Sequence, residues 1–238
     1  MAFTVVIPAR YGSSRFPGKP LADINGKPMI QHVVERATEA MRIADVANEF
    51  SHVCMTADTH QSGTERIAEV IEKENIAADS IVVNVQGDEP FIPAANIKQV
   101  ASNLSNAPQC VMATLSTPIL ESDDVFNPNM VKVQVNAHKE AMYFSRSAIP
   151  FERDRMMENR QSADPKLYFR HIGIYAYRAQ YVQQYVSYQP SALEQIESLE
   201  QLRALWYGDK IHCDVADAKP PVGIDTPEDL ARLLASLG

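Results

Sequence analysis

The sequence predicts an α/β fold: a mostly parallel central sheet with helices on both faces, carrying a β-rich extension over residues 110–177. Three observations predict it. An apolar run without alternation, Val5-Val6-Ile7, stops at Pro8 and gives way to a Gly/Ser loop and an amphipathic segment, the order of a strand–loop–helix unit. Strand and helix patterns then alternate as far as residue 104. From Cys110 to Tyr177 the texture changes to closely spaced strands. A chain of 238 residues can bury a sizeable core, and a single domain over 1–238 is expected.

Composition excludes several classes. Hydrophobic content of 45% and charged content of 22% suit a soluble globular protein. A net charge of −8 gives nucleic-acid binding no electrostatic support. No stretch has the length of a membrane span, and the first apolar run meets Arg10 at once, unlike a signal peptide, so no membrane partner is expected. Cys54, Cys110 and Cys213 form no C-x-x-C pair and suggest neither zinc nor a disulfide framework. Reduced thiols fit a cytoplasmic protein.

The first loop holds Gly12, Ser13, Ser14 and Gly18 with Arg10, Arg15 and Lys19. Glycines let backbone approach a ligand, hydroxyls and free N–H groups donate to phosphate oxygens, and the cations add charge, so the loop reads as an anion cradle. It is neither a Walker A sequence nor G-x-G-x-x-G, and the same composition suits a solvated basic loop. Pro28 opens a helix over 28–41. A second helix abuts it at Arg42–Ile43, where a parallel sheet needs a strand. That predicts a break closed over a gap of about a dozen residues.

Val53–Thr56 reads as a short strand. Ser62 and Glu65 have capping-box spacing before a helix, whose N-terminus suits polar ligand groups or is simply capped. The strand over 80–85 ends in Gln86-Gly87-Asp88-Glu89-Pro90, placing Asp88 where α/β sheets bind ligands, although it also suits a turn. A helix follows over 94–104. Strands over 111–115, 131–135, 142–146 and 168–177 surround a polar surface loop over 152–167. Helices over 179–188 and 191–207 come next, the second with an inner stripe of Leu193, Ile196, Leu199 and Leu202. The strand over 211–215 and the approach Val222-Gly223-Ile224-Asp225 lead to a final helix capped at Thr226.

Pro8-Ala9-Arg10-Tyr11, Ser13-Ser14-Arg15 and Pro17-Gly18-Lys19-Pro20-Leu21 resemble the opening of sugar-activating cytidylyltransferases. The resemblance is greatest to the 3-deoxy-manno-octulosonate (Kdo) cytidylyltransferase family, with Phe16 where that family often has leucine. Gly87-Asp88-Glu89-Pro90 and the segment from Val222 to Leu230 are similar to its later motifs. The resemblance implies a nucleotide-diphospho-sugar transferase-like fold. It also implies transfer of CMP from CTP to Kdo, with release of pyrophosphate, for lipopolysaccharide biosynthesis.

By that resemblance Asp88, Asp225 and Lys19 are catalytic, and Asp88 and Asp225 hold Mg2+. Ala9, Arg10, Ser13, Ser14, Arg15, Lys19 and Ser62 bind nucleotide. Gln86, Arg146, His171, Tyr175 and Glu200 surround the acid sugar, and the 110–177 region supplies acceptor contacts and a homodimer interface. Two carboxylates are what a Mg2+ site usually asks of a protein, and arginine grips a carboxylate bidentately. Plainer readings stay open: Asp225 at a helix start, Arg146 and Glu200 in surface ion pairs, His171 and Tyr175 as strand residues four apart on one face. Another acid sugar, 8-amino-Kdo or a sialic acid, is an alternative acceptor. A non-catalytic nucleotide-binding module is a further alternative, against which the presence of both aspartates speaks.

Overall fold

The computed structural model describes residues 2–9, 16, 18–35, 54–60, 62–87, 89–219, 227, 230, 231, 234 and 235. The Arg42–Ile43 junction, and with it the expected break, lies outside them. The elements in order are β1 (Thr4–Val6), a 3₁₀ turn (Lys19–Leu21), the hairpin β2 (Asp23–Ile24) and β3 (Lys27–Pro28), and helix α1 over 29–35. Helix α2 (Gly63–Lys73), β4 (Ile81–Asn84), α3 (Ala94–Asn106), β5 (Met112–Pro118) and α4 (Ser122–Phe126) follow. Next come β6 (Lys132–Val135), β7 (Ala141–Ser145), α5 (Arg153–Glu158) and β8 (Phe169–Arg178). Then come α6 (Ala179–Ser187), α7 (Ala192–Glu197), α8 (Gln201–Trp206) and β9 (Ile211–Val215), and the described residues 227, 230, 231, 234 and 235 beyond them are helical.

The α/β architecture is as expected, but the pairing is mixed rather than mostly parallel. Among the described residues seven strands form one sheet in the order β1-β4-β8-β5-β9, with the β6–β7 hairpin alongside β8. β1 with β4 and β5 with β9 are parallel. β8 lies antiparallel to both β4 and β5, and β6 lies antiparallel to β7 and β8. The 110–177 region is therefore woven into the sheet, because β8 returns from the β6–β7 hairpin and enters between β4 and β5.

Both sheet faces are apolar, which is why β4 shows an unbroken hydrophobic run. On one face Ile97, Val100, Ala101 and Leu104 of α3 cover Val83, Ala113, Leu115, Ile172 and Ile174. On the other, Ile67 and Ile71 of α2, Val182 of α6 and Leu202 of α8 cover Val82, Met112, Tyr177 and Ile211. Each fully buried Val, Leu or Ile contributes about 1.5–3 kcal/mol. Leu230 and Leu234 pack near Ile24 and Met29, bringing the C-terminal segment beside the β2–β3 hairpin.

Four local expectations change. The helix expected over 191–207 is two, because Ser198 takes a left-handed φ of 51° and ends α7. Ile196, placed on an inner stripe, is 80% exposed. Residues 54–57 form no strand. They lie along α2, held by Arg66 to Thr56 Oγ1 and Ala57 O, by Lys73 to Met55 O, and by Glu69 to the Ala57 N–H. The 152–167 segment forms α5 and a 3₁₀ turn, and buries Met156 and Ala163 against Tyr168. The strand expected over 131–135 does not leave its lysine in solvent: Lys132 is 0% exposed, and its ammonium donates to Asn127 O at 2.9 Å and Arg146 O at 2.7 Å.

The ends of the parallel strands meet. A Cβ on Gly87, just past β4, would lie 3.1 Å from the Pro8 carbonyl just past β1, and one on Gly63 would lie 3.7 Å from the Pro8 ring. Backbone cannot yield there as a flexible side chain could. Gly87→Ala should cost about 1–2 kcal/mol net, overpacking of about 1–3 being partly offset by lost unfolded-chain freedom of about 0.4–1; urea denaturation measures this. Burial also lowers the Lys132 ammonium from its ordinary 10.5 to about 8. Between those pH values the unfolded chain keeps a proton that the folded chain has lost, so folding gains stability as pH rises. Relative to Lys132→Met, wild-type stability should climb from pH 8 to pH 10, as denaturation midpoints across that range will show.

Candidate active site

A cavity of about 220 Å³ opens at the meeting of the loops after β1 and β4 with the start of α2. α2 contributes Gly63 and Thr64, the end of β4 contributes Asn84 and Gln86, and β8 contributes Tyr175 and Tyr177. Tyr185 of α6 and residues 198–201 between α7 and α8 close it. This is the carboxyl end of the parallel pair β1–β4, where open α/β sheets bind ligands.

The lining is polar and mostly neutral. Thr64, 3% exposed, donates its hydroxyl to Glu200 Oε2 at 3.1 Å. Burial raises the Glu200 carboxyl above its ordinary value, while Thr64 and Arg203 pull the other way. Asn84 is buried, and its Oδ1 has no partner. Burial pushes the phenols of Tyr175, Tyr177 and Tyr185 up, and the Glu200 charge adds to it, so all three remain protonated. One carboxylate among phenols and amides suits a ligand rich in hydroxyl groups.

The break between α7 and α8 aims Glu200. Ser191 and Glu194 form a full capping box at the start of α7. Glu194 then takes a bidentate pair from Arg203, at 2.8 and 2.5 Å, joining the two helices across the break. Arg203 also stacks on Tyr185 at 4.9 Å, and the Tyr185 hydroxyl donates to Glu200 O at 2.8 Å. From β7, Ser145 donates to Glu197 Oε1, and Arg146 donates to Glu197 O at 2.7 Å and Ser198 O at 3.4 Å.

The structure unites some of the expected residues and parts others. Gln86, Tyr175 and Glu200 line the cavity. His171 stands beside it, its ring 5.4 Å from that of Tyr175, so the two do share a face. Arg146 does not line the cavity: its guanidinium is turned to the carbonyls of Pro128, Glu197 and Ser198, where it holds the break that carries Glu200. Ser62 is the cap of α2, accepting from the Glu65 N–H at 3.2 Å. Lys19 is buried in its 3₁₀ turn, and Ala9 is exposed at the end of the β1 loop. Arg10, Ser13, Ser14, Arg15, Asp88 and Asp225 lie outside the described residues.

Sequence reasoning missed Thr64, Asn84, Tyr177, Tyr185 and Gln201. Thr64 follows the capping serine and Asn84 precedes Gln86, so a wider window on those two motifs would have included them. Tyr177 and Tyr185 carry no signal, because aromatics on a strand and a helix read as core.

The chain matches the family model described as cytidylyltransferase over residues 4–211. It is 72% identical over 248 aligned positions, ten more than it has residues, to the 3-deoxy-manno-octulosonate cytidylyltransferase of Alteromonas mediterranea, with 100% of each chain covered. It is 55% identical to the namesake of Pseudoalteromonas atlantica, covering 99% of this chain and 98% of that one. Among solved structures it is similar to CMP:2-keto-3-deoxy-manno-octonic acid synthetase complexed with CTP, with TM-score 0.85, 40% identity and coverage of 100% and 98%. A 4-diphosphocytidyl-2C-methyl-D-erythritol synthase at TM-score 0.58 and 12% identity, with both chains covered in full, shares the fold. With its parallel strand ends converging on a hydroxyl-lined cavity, and with these likenesses along its length, the chain belongs to the cytidylyltransferase family, among the 3-deoxy-manno-octulosonate cytidylyltransferases.

Proposed function

We propose that this protein joins CMP from CTP to Kdo and releases pyrophosphate. The carrying observation is the Glu200–Thr64–Asn84–Tyr177 cavity at the β1–β4 strand ends, a pocket with one carboxylate among neutral polar groups for a polyhydroxylated acceptor. The relatives' names, and the CTP complex of the structural neighbour, support the same reading.

The acceptor lies against Gln86, Tyr175 and Glu200, and its hydroxyl attacks the α-phosphorus of CTP. The new oxygen–phosphorus bond forms as the bond from the α-phosphorus to the bridging oxygen breaks. Arg10, Arg15 and Lys19, with the hydroxyls of Ser13 and Ser14, receive the triphosphate oxygens, and Ala9 and Ser62 flank the nucleotide. Arg146 contributes by fixing residues 197–198, which set the reach of Glu200. Asp88 follows Gly87 directly at the converging loops, and Asp225 follows the segment held by α3 through Asn96 and Gln99. An oxygen-only pair of carboxylates suits Mg2+, which would neutralise phosphate charge and lower the pKa of the attacking hydroxyl.

The protein is further inferred to be a cytoplasmic homodimer. Three free cysteines support the compartment. Exposed Val135, Met142, Phe151, Met157 and Leu167 in the 110–177 region support a face between two copies. Among the described residues no helix is long and apolar enough to cross a membrane.

Pyrophosphate release with CTP, Mg2+ and a panel of acid sugars tests the assignment, with Kdo expected to be used best. Asp88→Asn should keep the fold and lower turnover about 10²–10³-fold, the usual loss when one electrostatic contact to the transition state is removed; near-normal turnover would sink the metal assignment. Glu200→Gln, nearly isosteric, should raise KM for the sugar about tenfold or more and leave KM for CTP within about twofold, since a carboxylate that accepts sugar hydroxyls is lost. Steady-state kinetics in each substrate separates the two.

A further inference from the structure

Thr114 of β5 is fully buried, and its hydroxyl lies within hydrogen-bond distance of three atoms. These are Ile174 O at 2.8 Å, Ile172 O at 3.1 Å and His171 Nε2 at 2.9 Å. The cluster exists because the β5–β8 ladder slips: Thr114 faces Tyr175, yet Leu115 faces Ile172. That bulge turns two carbonyls of β8 toward one threonine, and bulges re-aim side chains in this way beside active sites.

A hydroxyl has one proton, and a carbonyl oxygen can only accept. With no proton between them, two carbonyl oxygens at 2.8 and 3.1 Å would both repel Oγ1, so the Thr114 proton goes to Ile172 O or Ile174 O. The contact to His171 is then a hydrogen bond only if Nε2 carries the proton and donates it to Thr114 Oγ1. Burial, with the Arg170 charge adding to it, brings His171 down to about 3, so near neutral pH the ring holds a single proton. With that proton on Nε2, Nδ1 is a bare lone pair. Among the described residues nothing bonds to Nδ1, and His171 is only half-buried, beside the cavity wall at Tyr175. The ring cannot swing freely, because Phe144 packs on it edge-on at 5.0 Å and Tyr175 at 5.4 Å.

We propose that Thr114 is a positioning residue that locks His171 in its Nε2–H tautomer, so that Nδ1 accepts a hydrogen bond from a ligand hydroxyl and turns a carboxylate away. The identity of the ligand rests on the function proposed above; the tautomer does not. A lone pair facing carboxylate oxygens would be repulsive, whereas a hydroxyl donates to it. His171 therefore reads a hydroxyl of the acid sugar, and the sugar carboxylate is held elsewhere.

The test is nitrogen NMR of the protein labelled with 15N at its six histidines, the His171 signals being identified by their loss in His171→Gln. In wild type from pH 6 to 8, Nε2 should resonate as the protonated nitrogen and Nδ1 as the bare one. Kdo added alone should move Nδ1 toward the protonated-type position. Thr114→Val, which keeps the shape and removes the hydroxyl, should mix the tautomers and raise KM for Kdo about tenfold with KM for CTP unchanged, the cost of one misdirected hydrogen bond. Thr114→Ser should restore both. A proton on Nδ1 in wild type overturns the proposal, as does an unchanged His171 spectrum in Thr114→Val, or an Nδ1 signal unmoved by saturating Kdo. If Thr114→Val fails to fold, the wild-type spectrum and Thr114→Ser still decide. A wild-type protein with the Nε2–H tautomer but no turnover of CTP and Kdo would overturn the functional reading and support the tautomer.

Discussion

β8 is hydrogen bonded on both edges, to β4 across Asn84↔Tyr175 and its neighbours, and to β5 from Met112 to Pro118. An antiparallel strand of ten residues set between two parallel pairs constrains everything around it. Its inner-face residues Ile172, Ile174 and Ala176 complete one core with α3, and Tyr177 enters the other with α2 and α6. The same strand carries His171 and Tyr175. Core packing and the cavity wall thus share one backbone, and the cavity cannot be reshaped from β8 without disturbing a core.

The segment between α7 and α8 shows how such a site tolerates strain. A left-handed backbone at a residue other than glycine costs about 1–3 kcal/mol when it sits in a sparsely populated region. Each intramolecular hydrogen bond returns only about 0.5–1.5 kcal/mol net, and those to charged groups somewhat more. Arg146, Ser145 and Tyr185 converge on residues 197–200, and the Glu194–Arg203 pair spans them. Together they outweigh the strain at Ser198 and give Glu200 one reach, a matter of preorganisation rather than of affinity for any one group.

Much of this was legible in the sequence, and the reasons for the rest are physical. Unbroken apolar runs marked β4 and the start of β1 because both their faces are covered. The Gly-Asp and Pro-Ala-Arg motifs marked the converging loops because close approach there demands small residues, as Gly87 shows. Strand direction was not legible: a run such as Tyr168–Tyr177 has the same composition whether its neighbours run with it or against it. The α7–α8 break was hidden because Leu193, Leu199 and Leu202 keep helical spacing while no glycine or proline marks Ser198; what ends α7 is tertiary, from Arg146 and Tyr185. Lys132 gave no sign of burial, because that burial depends on two carbonyls, five and fourteen residues away, that only the fold brings together. Thr114 gave no sign at all, since its three buried contacts arise from a register slip in the ladder.

Helix α3 has a consequence beyond covering the sheet. It begins at Ala94, soon after the Gln86–Pro90 loop, and Asn96 in its first turn grips both backbone groups of Ala218, through Oδ1 at 3.1 Å and Nδ2 at 2.7 Å. One turn on, Gln99 holds Val215 O and the Asp217 N–H in the same manner. Two stretches of chain separated by more than a hundred residues are thereby surveyed from one benchmark. The spacing between those stretches is thus set by one helix as well as by the strands.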